Sequence, residues 1–177
     1  MTDEDLKFMR LALELAKKAE LKDEVPVGAV IVQDGEVIGR GMNTSIGDHD
    51  PTSHAEINAI REAAKLIKNY RLKDCSIYVT LEPCAMCVGA IQHARIGKII
   101  YGAPDPKTGA CGGMVDLIGI KEINHHAEAM GGVLEKECSQ ILKDFFLSKR
   151  KNAFNLLRNL KRNLDSTFAQ TLNFGNT

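Results

Sequence analysis

The sequence predicts an α/β fold, a mixed five-stranded sheet with helices on both faces. Three observations predict it. Short β-branched runs alternate with amphipathic segments of helix length along the chain. Asp34-Gly35, between two of those runs, marks a tight hairpin, so one strand runs antiparallel to the others. The 177 residues, 44% hydrophobic and 26% charged, supply one real core and too little chain for two ordinary domains.

The elements follow in order. Residues 3–20 read as a helix with Leu6, Met9, Leu13 and Ala16 on one stripe and Phe8, Leu11 and Leu15 beside it. Residues 27–33 are an apolar, β-branched run suited to a buried strand, and residues 36–41 return across the Asp34-Gly35 turn. Asn, Gly, Asp, Thr and Pro crowd residues 42–52, a loop. A helix spans about 53–68 with Ile57, Ile60, Ala64 and Ile67 inward. Residues 75–81 form a third strand. Pro83 suits the first turn of the next helix, which runs to about Ala94. Residues 98–102 are a fourth strand, and a Pro/Gly loop covers 103–113. A short helical piece is expected near 114–118 and a fifth strand within 125–130. Residues 133–151 read as a long helix with Leu134, Cys138, Ile141 and Phe145 inward. No internal repeat is visible.

Composition narrows the function classes. The longest apolar run, around residues 25–32, is far short of the ~20 residues of a membrane span. The N-terminus is acidic where a targeting signal is basic, so a cytoplasmic location with no membrane partner is expected. Five cysteines at uneven spacing argue against a disulfide framework and toward metal ligands or catalytic groups. Lys+Arg and Asp+Glu balance at 23 each, but residues 143–162 carry seven bases against Asp144 alone. A polyanion could dock there; charge alone favours a solvated helix face.

Two short stretches carry chemistry: His54-Ala55-Glu56 and Pro83-Cys84-Ala85-Met86-Cys87, each at an expected helix start. Cys84 and Cys87, three apart, share a helix face. A helix N-terminus favours negative charge and lowers a thiol's pKa. Two thiolates plus the His54 imidazole make three zinc ligands. The spare candidates Cys75, Cys111, Cys138, His49, His93, His125 and His126 lie outside the usual pair spacings. An open, catalytic site is therefore favoured over a closed structural one. Glu56 strengthens that reading, because a carboxylate near a zinc-bound water can hold its proton and pass it on. At i and i+2 the two side chains of His54 and Glu56 converge only if the motif occupies the first turn.

His-x-Glu followed by Pro-Cys-x-x-Cys resembles the signature of the zinc-dependent nucleoside and nucleobase deaminases. Residues 49–56, 78–87, 102–109 and 144–146 narrow the resemblance to the bacterial tRNA-specific adenosine deaminases, over roughly residues 4–152. The resemblance implies a three-layer α/β/α cytidine-deaminase-like fold. It implies a zinc-dependent deaminase domain over 1–152. Residues 153–177 are then an extension, a basic helix that gives way to a frayed tail after about Leu164. Pro104 stands where the resemblance leads one to expect a basic or polar residue.

The implied activity is hydrolytic deamination of adenosine to inosine at the wobble position of a tRNA anticodon. One Zn2+ per chain, held by His54, Cys84 and Cys87, would activate hydroxide, with Glu56 as proton shuttle. The resemblance also implies substrate contacts from Asn43, Asp105, Lys107, Phe146 and Arg150. The partners implied are a tRNA anticodon stem-loop and a second copy of the chain in a homodimer. On their own residues, Asn43 reads as a turn residue and residues 104–109 as a turn. The alternatives are a deaminase of a free nucleobase or nucleoside (guanine or cytosine) and, less favoured, a catalytically silent zinc-stabilised RNA-binding domain.

Overall fold

The computed structural model describes residues 1–173, with side-chain surroundings through Asn155 and at Arg158. The chain divides into two compact units, the first covering Met1–Leu142 and the second opening at Lys143. Helix α1 (Asp3–Leu21) leads into the hairpin β1 (Gly28–Gln33) and β2 (Glu36–Met42). Next come α2 (Ala55–Ile67), β3 (Cys75–Leu81), α3 (Ala85–His93) and β4 (Lys98–Ala103). The short β5 (Glu128–Met130) precedes α4 (Glu135–Asn173).

The sheet order is β2-β1-β3-β4-β5. Strand β1 is antiparallel to both neighbours, whereas β3, β4 and β5 are mutually parallel. The mixed sheet expected from the hairpin is the one observed. Asp34 at φ 50 and Gly35 at φ 80 both take the left-handed conformation that a two-residue hairpin loop needs.

Strand alternation divides the core into two layers. Ala29, Ile31, Ile77, Val79 and Ile99 face one side, with Ala55, Ala59 and Ala63 of α2 and Ile91 of α3. Val30, Val32, Tyr78 and Ile100 face the other, with Phe8, Met9, Ala12 and Leu13 of α1 and Cys138 of α4. Helices thus cover both faces. On the first face β2 is glycine-bearing where α2 crosses it. A Cβ at Gly39 would lie 2.5 Å from the Ala59 carbonyl oxygen, and one at Gly41 would overlap that of Ala55. These glycines let the first two turns of α2 lie directly on the strand.

Two expectations are corrected. Residues 114–118 are bends around an isolated bridge from Asp116 to Cys111 rather than helix. The Asp116 carboxylate accepts from the backbone N–H of Ile118 at 3.1 Å and of Gly119 at 2.9 Å, which diverts those amides from a helical pattern. Helix α4 runs on past residue 151 and past Leu164 to Asn173, where a frayed tail was expected. The reason is visible in retrospect: no glycine or proline interrupts the chain between Val133 and Gly175. Residues 174–177 of that expected tail lie outside the described residues.

Candidate active site

Two helix starts on the same face of the sheet build the site. His54 is the N-cap of α2, with extended backbone at φ -78 and ψ 157. Cys84 is the N-cap of α3, likewise extended at φ -73 and ψ 170. An N-cap side chain ordinarily turns back to bond its own helix. Neither makes a side-chain capping bond: His54 reaches across to the start of α3, and Cys84 lies against Cys87 in the first turn of its own helix. They meet: His54 Nδ1 lies 3.8 Å from Cys84 Sγ and 3.5 Å from Cys87 Sγ. The three donor atoms lie within 4.8 Å of one another, and no further His, Cys, Asp or Glu among the described residues joins them. Cys87, in the first turn of α3, is fully buried.

With His54 as N-cap, Glu56 falls in the first turn of α2 and is 4% exposed. Its carboxyl lies beside the Cys87 thiol. Burial raises its pKa above the ordinary carboxylate value, with no compensating cation strong enough to reverse it. A hydrogen bond from the Cys87 thiol, joined by His54, pulls the Cys84 thiol down to about 4. Cys87 moves the opposite way, because its proton is the one shared with Cys84 and because it is buried. The Cys84 thiolate in turn raises His54. The cluster is a negatively charged pair of sulfurs beside an imidazole, the donor set of a soft or borderline cation.

Asn43 is 9% exposed, and its Oδ1 accepts from the Ala55 N–H at 2.8 Å. It caps α2 from across the loop, the task His54 leaves undone. The loop between them is pinned at several points. Buried Glu24 accepts from the N–H of Ile46 at 3.1 Å and of Gly47 at 2.7 Å. Asn58 Nδ2 donates to the Met42 carbonyl and to Thr44 Oγ1, both at 3.0 Å. Asp50 accepts from Thr52 and Ser53 just before His54.

The sequence reading passed over Glu82, which organises the loop after β4. It is 2% exposed and sits between the end of β3 and Pro83. Its Oε2 accepts from the Asp105 N–H at 2.9 Å, and its Oε1 from the N–H of Cys111 at 2.9 Å and of Gly113 at 2.8 Å. The carboxyl also fills the space a side chain at Gly109 or Gly113 would need. A lone acid before Pro-Cys gives no sequence signal of three amides arriving from 23 to 31 residues downstream. The same loop bonds back to the α3 start, with the Ala110 N–H donating to the Pro83 carbonyl at 2.8 Å.

Asp105 turns inward on its own loop, accepting from the N–H of Lys107 and of Thr108 and from the Thr108 hydroxyl. Those bonds hold its pKa below the ordinary value against the burial that opposes them. Lys107 is exposed at the tip. Phe146 and Arg150 belong to the second unit, where both are exposed, and the adjacent Phe145 is buried. The structure thus brings His54, Glu56, Cys84 and Cys87 together, with Asn43 attached through Ala55 and Asp105 through Glu82.

A family model described as MafB19-like deaminase matches residues 3–150. The chain is 53% identical over 148 residues to a tRNA-specific adenosine deaminase of Haemophilus influenzae, covering 83% of this chain and 86% of that one. A solved structure from work on A-to-I editing by tRNA:A34 deaminases at the wobble position superposes with a TM-score of 0.75 at 45% identity. The match covers 77% of this chain and 99% of that one. The guanine deaminase of Bacillus subtilis superposes with a TM-score of 0.56 at 40% identity, covering 70% of this chain and 78% of that one. Fold, site and identity over this length agree that the chain is a deaminase and belongs to the tRNA-specific adenosine deaminase family.

Proposed function

We propose that this protein converts adenosine to inosine at the wobble position of a tRNA anticodon by hydrolytic deamination. The observation that carries the reading is the meeting of His54, Cys84 and Cys87 beside buried Glu56, in a chain 53% identical to a tRNA-specific adenosine deaminase.

The donor set fits zinc. Tetrahedral zinc with bonds of about 2.3 Å to sulfur and about 2.05 Å to nitrogen puts a sulfur and a nitrogen ligand roughly 3.6 Å apart. The two sulfur-to-nitrogen separations here, 3.5 and 3.8 Å, bracket that value. His54, Cys84 and Cys87 would hold one Zn2+, which supplies a Lewis acid able to acidify a water molecule toward neutral pH.

The chain's own residues do the rest. Glu56, with its raised pKa, takes a proton from the attacking water and delivers it to the purine ring nitrogen. The water oxygen bonds to C6; the carboxylate then takes the second proton, from the new C6 hydroxyl, and passes it to the amine as the C6–N bond breaks, leaving the C6 carbonyl of inosine and ammonia. The buried surroundings of Glu56 keep that proton between carboxyl and base. Asn43 positions the α2 start and faces the base; Asp105, Lys107, Phe146 and Arg150 contact the RNA. The adenosine leaves the anticodon stack to reach the site.

The family resemblance supports a homodimer; Met86 on α3 is 37% exposed and Gly89 opens onto free space, which leaves that helix face available. A cytoplasmic location accords with the substrate, and no helix among the described residues is long and apolar enough to cross a membrane. The test is inosine formation in an anticodon stem-loop with adenosine at the wobble position. Free adenosine, cytidine, cytosine and guanine are assayed in parallel for ammonia. Turnover of guanine with an untouched stem-loop would transfer the same metal site to a free-base deaminase.

A further inference from the structure

Four residues of α4 stand four apart: Phe146, Arg150, Phe154 and Arg158. Each step along an α-helix advances about 6 Å and turns about 40°. The four side chains therefore follow one slowly winding stripe, aromatic and guanidinium by turns. All four are exposed, Phe146 at 45% and Phe154 at 66%. The neighbouring Phe145 is buried and carries the Lys149 ammonium 5.2 Å above its ring, so exposure of Phe146 and Phe154 is not a property of the whole helix surface. Phe154 and Arg158 lie beyond residue 150, where the family model ends.

We propose that Phe154 and Arg158, beyond the family-matched region, extend the RNA contacts of Phe146 and Arg150 into a longer stacking surface for unpaired RNA. The proposal rests on the reading of tRNA as substrate and adds to it a binding surface on the second unit. Phe146 packs edge-on against Phe145 at 5.4 Å between ring centroids, and the exposed surfaces of Phe146 and Phe154 offer apolar flat faces on which bases can stack. The guanidinium groups of Arg150, between the rings, and Arg158, beyond them, stack on bases or pair with phosphates. Seven bases against Asp144 over residues 143–162 make the face attractive to a polyanion. The same charge opposes a second copy of this chain, which would bring its own seven. A duplex keeps its base faces closed in the stack. Successive nucleotides of a strand lie about 3.4 Å apart. Phe146 and Phe154, two steps apart, are separated by about 12 Å along the helix, which leaves room for a few unpaired nucleotides between the rings.

The test uses full-length protein and a labelled anticodon stem-loop, with dissociation constants measured across a salt series and a paired duplex of the same stem for comparison. Phe154→Ala is expected to weaken stem-loop binding by roughly five- to a hundred-fold with an unchanged salt slope. Its duplex binding should match that of the wild type. Phe154→Trp should restore affinity and Phe154→Leu should not. Arg158→Gln should reduce the salt slope by about 0.7. Stem-loop binding by Phe154→Ala equal to wild type overturns the proposal, as does rescue by Phe154→Leu. So does a shift of Phe154→Ala to a smaller species in sedimentation with RNA affinity intact, which assigns the stripe to self-association. Phe154-dependent RNA binding by a wild type that makes no inosine upholds the surface and refutes the assigned reaction.

Discussion

Glu56 is a carboxyl placed where a carboxylate is costly, and its role follows from that cost. Burial raises its pKa against the opposing charge of His54. The ionised form is the one that accepts a proton, so activity should be lost on the acid side of the pH profile of kcat/KM. Glu56→Gln should keep a full complement of zinc and lose roughly 10²- to 10⁴-fold in kcat. Cys84→Ala should lose the metal itself, read by zinc content after dialysis. At this scale the reactive set was legible in the sequence, because spacing and helix starts bring His54, Cys84 and Cys87 to one place. Glu82 was not legible: its three partner amides are assembled by the fold. Nor was the bond from the Ala55 N–H to Asn43 Oδ1, because an Asn in a loop reads as a turn.

Elements hold these residues in place, and their failures should be readable at the site. A Cβ at Gly41 would overlap the Ala55 carbonyl, at the turn that carries Glu56. Gly41→Ala should destabilise the fold by about 1–3 kcal/mol and lower zinc occupancy by displacing the start of α2. Glu82→Gln sets an amide donor against a backbone N–H. Faster amide exchange at Asp105, Cys111 and Gly113, with KM for stem-loop RNA rising more than kcat falls, is the expected outcome; unchanged exchange would exclude Glu82 as the loop's anchor. At the other end of the chain, Thr2 and Asp5 cap α1, and Asp5 also accepts from the buried Tyr78 hydroxyl at 3.2 Å. Thr2→Ala should cost about 1 kcal/mol in urea unfolding. The Thr2 bonds outweigh burial and lower the Asp5 pKa below its ordinary 3.8. That contribution is present above pH 3.8 and disappears as pH falls through the lowered value. Hydrophobic period and turn residues made every strand and the four main helices legible. The stretch at 114–118 misled because an aspartate side chain competes for amides, and α4 outran its expected end because nothing in the sequence stops it.

The whole molecule carries formal charge +0, yet residues 143–162 hold seven bases against one acid. An electrostatic footprint of that kind predicts RNA affinity that falls steeply with salt, whereas turnover of a small neutral base would be nearly indifferent to it. The zinc-site pattern and fold class were readable from residues alone, but the substrate was not, because the same four site residues serve free bases and RNA alike. The flanking stretches and the relatives supply that choice. The decisive measurement is inosine in a tRNA anticodon stem-loop incubated with zinc-loaded protein, with Glu56→Gln as the blank. Inosine at the wobble position, absent from the blank and from free adenosine, is the expected result. Ammonia from guanine or cytosine with the stem-loop unchanged would contradict it.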